Sequence, residues 1–369
     1  MKSDMINMLG RDEIITRQYQ ENDDEEIVAL LRAAFPTWEK IQNPVEYWRW
    51  KYRRSPLETH IAVTTVDGKI AGLGHCFKMH VKLGDKVLVS YYDDDYATSA
   101  EYRDKGIYKT ITNYIDELKK EGHADFCYWI TTNPIVLTKA NIHEQISFPT
   151  PFSDLVRIRD IDRFIEKFPI EKAAQLKTSF KSQQLTTYSP QSYVINDGFD
   201  LLDVDSFDER FENFWDEAAE EYTYFLLRDR DFMNWRFTQN PIEKYQIKVA
   251  SSGGEIIGYA VLEIEDFGGY TVGSIYDLLP SRGHNEDVLP IFNEVVKYFD
   301  SLNIDCISLT TMQGHPLQKM AASLGFIDAP YASEAKVRFW GYNDYFYDKM
   351  RDLKAEKIYF SYSDYDWQP

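Results

Sequence analysis

Apolar positions along this chain switch between two periods. Ile27, Leu30, Leu31 and Phe35 recur at helical spacing and predict a helix over 25–35, with a short helix following near 44–52. The runs His60–Val66 and Ile70–His80, joined by the Gly-containing turn VDGK, predict a β-hairpin. KLGDK, with Gly84, then turns into a third strand over 87–98. Ile107, Ile111, Ile115 and Leu118 restore the helical period, so 106–120 reads as an amphipathic helix with Gly122 as its C-cap. A strand over 126–132, a break at Asn133-Pro134 and a helix over 135–145 complete the run. An antiparallel meander followed by a strand–helix–strand crossover makes a mixed, mostly antiparallel twisted sheet flanked by helices, an α+β architecture.

The pattern occurs twice. EYWRWKYRRSP (Glu46–Pro56) matches DFMNWRFTQNP (Asp231–Pro241), placing Trp50, Tyr52 and Pro56 opposite Trp235, Phe237 and Pro241. Each segment leads into an apolar strand, a glycine turn and a second strand, with Gly72 opposite Gly258; later FCYWITT (126–132) resembles DCISLTT (305–311). This preserved order predicts two similar domains, at 13–155 and 196–342, joined by a helical connector over 156–195. The tail 343–369 contains Tyr345, Tyr347, Tyr359, Tyr362 and Tyr365, and aromatic residues this dense predict that it packs on the second domain.

Composition narrows the function. With 41 Lys+Arg against 60 Asp+Glu the net charge is −19, which repels nucleic acid and anionic membranes over most of the surface. No apolar leader or membrane-length stretch is legible, so the expected location is cytoplasmic. Cys76, Cys127 and Cys306 are too scattered for a zinc site and read as buried thiols, and no metal is expected.

The chemistry concentrates in YYDDDYATSAEYRDKG (Tyr91–Gly106). Arg103-Asp104-Lys105-Gly106 lies where a strand hands over to a helix N-terminus, an anion site suited to a diphosphate. Gly106 allows close backbone approach, and Arg103 and Lys105 add charge. Upstream, the three aspartates lie on the strand leading to the turn, and Asp93, Asp94 and Asp95 are candidate bases. Alternation places Tyr92, Asp94, Tyr96 and Thr98 on one face and Tyr91, Asp93 and Asp95 on the other, unless a bulge shifts the phase. Tyr92, Tyr108 and His143 are candidate acids, whereas His75 reads as a satisfied interior histidine.

Ala100-Glu101-Tyr102-Arg103-Asp104-Lys105-Gly106 resembles the [RQ]-x-x-G-x-[GA] motif of the GCN5-related N-acetyltransferases (GNATs). It departs from the usual family pattern at Ala100, where proline is common, at Asp104 for the middle glycine, and at Tyr108 for the last small residue. The resemblance implies two GNAT-like domains and acetyl-CoA as acetyl donor. It places the diphosphate on the amides of Arg103, Asp104, Lys105, Gly106, Ile107 and Tyr108. The pantetheine arm would run along Tyr96, Ala97 and Thr98, with Asn133 at the end of the next strand and Asn141 and His143 near the thiol. Asp94 and Asp93 as base and Tyr108 as acid would serve transfer to an amine, small-molecule or peptide and cationic given the acidic strand. The second copy has no R-x-x-G in register, since Asn285 falls opposite Gly106, and reads as degenerate though it keeps SLGF (Ser323–Phe326). Another acyl or aminoacyl transferase of related two-domain fold, and a non-catalytic acyl-CoA sensor or scaffold, are the competing expectations; oligomeric state is not legible.

Overall fold

The structure, a computed structural model, describes residues 5–9, 12–131, 145–168, 177–178, 180, 198–281, 288–329 and 336–364. Its strands in chain order begin with β1 Met5–Leu9, β2 Asp12–Gln18, β3 Thr59–Val66, β4 Lys69–Leu83, β5 Lys86–Thr98, β6 Phe126–Thr131, β7 Gln145–Ile146 and β8 Phe152–Ile158. There follow β9 Asp200–Val204, β10 Tyr224–Leu226, β11 Tyr245–Ser252, β12 Glu255–Asp266, β13 Thr271–Pro280, β14 Cys306–Met312, β15 Ile327–Asp328, β16 Lys336–Gly341 and β17 Ile358–Tyr359. They form two sheets. The first runs β1-β2-β3-β4-β5-β6-β16-β7, with β10 and β17 continuing from the far end of β4; the second runs β15-β8-β14-β13-β12-β11-β9. Both are mixed: β5–β6 and β10–β17 are parallel in the first, and β13–β14 in the second. The α+β expectation holds.

The two segments that match in sequence also share backbone detail. The first hairpin turns through Asp67 (φ 49°) and Gly68 (φ 82°), and its counterpart through Gly253 (φ 61°) and Gly254 (φ 91°), the left-handed pairs that a tight two-residue hairpin requires. The helix Pro44–Trp48 widens into a π-turn over Arg49–Arg53, closed by Arg54 N–H donating to Arg49 O at 2.9 Å. Asn234–Thr238 repeats it, with Gln239 N–H donating to Asn234 O at 2.9 Å. Gly72 is a glycine because a Cβ there would lie 2.6 Å from Ile107 Cγ2; a Cβ at Gly258 would meet Ile291 Cδ1 at the same 2.6 Å. In both copies the crossover helix, Ile107–Glu121 and Val288–Ser301, thus sits directly on the second strand of the hairpin.

Domain edges differ from the expected division. A boundary at residue 155 cuts β8, which pairs antiparallel with β14 of the second sheet, Leu155 opposite Leu309. In exchange β16, from the end of the second repeat, pairs antiparallel with β6, Phe339 opposite Tyr128. Each domain closes the other's sheet, and the largest apolar cluster runs without interruption from Leu31 and Trp48 through Trp235 to Phe339 and Phe360. The connector helix spans Ile161–Lys167, its N-terminus capped by Asp160. The tail is divided rather than confined to the second domain. Its helix Asp344–Arg351 stacks Phe346 on Phe126 of the first sheet at 4.5 Å, while Tyr359 reaches Asp277 in the second. The expected packing on the second domain alone is thereby corrected, because aromatic density calls for cover without specifying which sheet supplies it. The three cysteines are buried and free. Among the described residues no helix is long and apolar enough to cross a membrane.

Candidate active site

β5 and β6 run parallel from Ser90↔Phe126 to Tyr92↔Tyr128 and then lose register, although β5 continues to Thr98 and β6 to Thr131. The edge of β5 from Asp93 onward therefore faces a wedge between two parting strands. At its far end the chain makes a short 3-10 turn, Ala100–Tyr102, and enters the Ile107 helix. Arg103, Asp104, Lys105 and Gly106 are all exposed there. Asp104 (φ 64°) and Gly106 (φ 80°) both adopt the left-handed conformation. Asp104, standing where the related motif has glycine, belongs to the small group of residues that tolerate it. A Cβ at Gly106 would meet nothing within 4 Å, so the space over the helix N-terminus is open. The first N–H groups of the helix have no partner within it and point that way. Lys105 lies over the Tyr102 ring at 5.0 Å.

The aspartates do not alternate as a plain strand would place them. Asp95 has φ 45°, and the β4–β5 register slips between Leu73↔Ala97 and His75↔Asp94. This bulge turns Asp94 and Asp95 to one side together and leaves Asp93 and Tyr96 on the other. On the helix side, Asp93 binds Lys119 at 2.7 Å and accepts from Tyr96 OH at 3.2 Å. Burial pushes the Asp93 carboxyl up and Lys119 opposes the rise; burial disfavours the Lys119 ammonium, yet the anions beside it hold its pKa well above the ordinary value.

On the opposite side, Lys51 lies 2.7 Å from Asp94 and 3.3 Å from Asp95, with its side chain wholly buried. Tyr52 OH is 2.6 Å from Asp95 Oδ2 and 3.0 Å from Asp94 Oδ2. Burial raises the Asp95 carboxyl to about 6 against the pull of Lys51, with Asp94 adding to the rise. Burial works against the Lys51 charge, but the two carboxylates leave its pKa raised. His75 closes the cluster. Its ring stacks on Tyr52 at 3.8 Å, and its Nε2 accepts from the Trp48 indole N–H at 3.1 Å. An indole only donates, so Nδ1 carries the proton and donates to the Asp95 carbonyl at 3.3 Å, fixing the bulge. Burial drives the His75 pKa down to about 3, so it is a neutral interior group as its sequence context suggested. Asp94, with 8% of its side chain exposed against 0% for Asp95, is the one carboxylate of the pair that touches solvent.

Tyr108 is 54% exposed in the first turn of the helix, its ring 6.0 Å from that of Tyr96. Tyr96, Ala97 and Thr98 line the wedge on the β5 side. Tyr92 is buried against Tyr128 at 5.0 Å. Asn133, Asn141 and His143, like Asn285, lie outside the described residues. Sequence reasoning did not assign Lys51, Tyr52 or Lys119. Lys119 falls four residues after Ile115 on the buried stripe of its helix, and a cation in that register signals a buried anion beneath it. Lys51 sits between the two aromatic residues of the repeated segment, as Arg236 does in the second copy, also fully buried.

Residues 16–135 match the acetyltransferase (GNAT) domain family, which covers the wedge and the Ile107 helix. The fold is similar to that of a GCN5-related N-acetyltransferase from Anabaena variabilis at TM-score 0.63 and 11% identity, covering 88% of this chain and 72% of that one. It is also similar to an Enterococcus faecalis protein of unknown function described as a probable N-acyltransferase, at TM-score 0.61 and 11% identity, over 89% and 71% of the two chains. No curated protein sequence matches the chain. The wedge between parting strands, the left-handed turn and the open helix N-terminus all lie within residues 16–135, the segment that matches the acetyltransferase (GNAT) domain family.

Proposed function

We propose that the first domain is an acetyl-CoA-dependent N-acetyltransferase that acetylates an amine, small-molecule or peptide, of cationic character. The observation that carries the reading is the open helix N-terminus at Gly106, set at the end of a strand edge freed by the parting of β5 and β6. Acetyl-CoA fits these residues. The amides from Arg103 to Tyr108 would hold its diphosphate, and the main chain of Tyr96, Ala97 and Thr98, together with Asn133, its pantetheine arm.

Bound there, acetyl-CoA supplies an acyl carbon activated as a thioester. A β5 main-chain N–H aimed into the wedge stabilises negative charge developing on the acyl oxygen. Asp94 accepts the proton that the attacking amine loses as its nitrogen bonds to the acyl carbon. Tyr108 returns a proton to the sulfur as the carbon–sulfur bond breaks. Asp94 is favoured over Asp93 because Asp94 shares the single Lys51 with a second carboxylate, Asp95, whereas Asp93 has Lys119 to itself. Asp95, behind Asp94, keeps an excess negative charge in the cluster over the single Lys51, which favours a cationic acceptor.

Calorimetric titration of acetyl-CoA into the wild type and Gly106→Glu, followed by an acetylation screen over amines, tests the reading. The wild type should bind and the variant, with a carboxylate in the anion site, should not. A wild type that does not bind refutes the donor; equal binding by the variant moves the site elsewhere.

A further inference from the structure

β13 and β14 repeat the geometry of the first wedge, running parallel to Ile275↔Leu309 and then parting. In the second domain the wedge is filled. Residues 358–361 of the tail, whose strand β17 pairs with β10, close it against Tyr276–Leu278 of β13 and Leu309–Met312 of β14, and the cavity left among them is about 20 Å³. That is room for about one water molecule.

The fit is polar as well as steric. Tyr359 OH donates to the Asp277 carboxylate and accepts from the Leu278 backbone N–H at 3.3 Å. Thr310 Oγ1 lies 2.8 Å from Tyr362 OH, and the Tyr362 ring packs 5.2 Å from that of Tyr276. From behind, Arg228 binds Asp364 at 3.0 Å and Asp277 at 3.5 Å, and its guanidinium lies over the Tyr359 ring at 4.9 Å. The repeat fixes the equivalence of the two wedges. Gly72 pairs with Thr98 and Gly258 with Pro280, so two residues back along each strand Leu278 corresponds to Tyr96.

We infer that the second domain retains a cleft for the pantetheine arm of a coenzyme A thioester and that the chain's own segment 358–362 occupies it, with the Tyr359 hydroxyl on the Leu278 amide in place of the ligand's acyl oxygen. This rests on the reading of the first wedge given above. The occupancy makes the chain a one-site protein. The second copy is silent because its cleft is filled from within, in addition to lacking the glycine loop in register. It also gives the Tyr359 hydroxyl a defined role, since a hydroxyl oxygen, like a carbonyl oxygen, accepts from a main-chain N–H, while its proton goes to Asp277.

Hydrogen–deuterium exchange and calorimetry on the full chain with acetyl-CoA as probe test the inference, using the wild type, Tyr359→Phe and Tyr359→Ala. In the wild type, acetyl-CoA should slow exchange over 92–108 alone, with one equivalent bound per chain. Without ligand, exchange over 276–280 should accelerate roughly fivefold in Tyr359→Phe, the value of one lost hydrogen bond, and further in Tyr359→Ala. Acetyl-CoA protection of 276–280 in the wild type, or two equivalents bound, overturns the inference. So does unchanged exchange at 276–280 in Tyr359→Phe, which retains the ring and tests the hydroxyl alone. If acetyl-CoA affects no segment of the wild type while both variants open 276–280, the proposed donor for the first domain is refuted and the tail's occupancy of the cleft is upheld.

Discussion

Trp50 and Trp235, equivalent residues of the two repeats, stack on each other with ring centroids 5.2 Å apart and planes 26° apart, and the Trp235 indole N–H donates to the Trp50 carbonyl at 3.0 Å. The segment that revealed the duplication is therefore also where the copies meet. Both rings are buried, so truncating Trp235 to alanine should destabilise the protein by about 3–5 kcal/mol. The double variant with Trp50→Ala should lose less than the sum, because the two share one interface. Urea unfolding followed by fluorescence and circular dichroism checks both points, and the two probes should report one coincident transition across the domains.

The three aspartates should separate by function. Asp94→Asn should lower kcat/KM for amine acetylation by about 10²–10⁴, the usual contribution of a general base. Asp93→Asn should leave kcat/KM within a few-fold and act on stability. Removing its partner in Lys119→Met strands a buried carboxylate and should cost about 3–5 kcal/mol, a loss that the double variant Lys119→Met/Asp93→Asn should largely recover. Steady-state kinetics and denaturation of the same four proteins provide the comparison.

The Asp95 carboxyl, raised to about 6 by burial, makes a pH dependence of unusual sign for an acid. The folded chain holds this proton more tightly than the unfolded chain, whose carboxyl titrates near 3.9. Its contribution to stability is greatest below that value, declines as the pH rises to about 6 and is constant above. Asp95→Asn should flatten this part of the profile and stabilise the protein at pH 7. Asp364, raised by burial to about 7, adds a second decline in the same direction, so some slope should remain. Thermal unfolding at intervals from pH 4 to 8 resolves the two.

Asp104 occupies a left-handed position beside the proposed diphosphate. Asp104→Gly removes both a negative charge and about 1–2 kcal/mol of left-handed strain, the latter partly offset by the freedom glycine gains when unfolded. Acetyl-CoA should bind several-fold more tightly to this variant at low salt, with the gain shrinking as ionic strength rises. Calorimetry at two salt concentrations measures it.

Much of this architecture was legible in the sequence. Hydrophobic periodicity placed the Ile107 helix and β3 to β6 within a few residues, because each buries one face and the pattern is local. The repeat was legible for the same reason, as Gly72 and Gly258 serve the same close helix contact. The exchange of β8 and β16 was not, since nothing local in a strand's composition states which partner completes its ladder. The grouping of Asp94 with Asp95 was hidden because it depends on one residue at φ 45°, which reverses the face of everything before it. Lys51 escaped assignment because its partners lie more than forty positions away, at Asp94 and Asp95.

The exchange of β8 and β16 also has a consequence in time. β6 leaves the ribosome with its far edge bare, and the strand that covers it, Lys336–Gly341, is made only after every strand of the second sheet. A chain halted after its first repeat carries the Arg103–Gly106 turn but an unfinished sheet, so the wall of the first wedge is complete only once β16 has been made and has docked on β6.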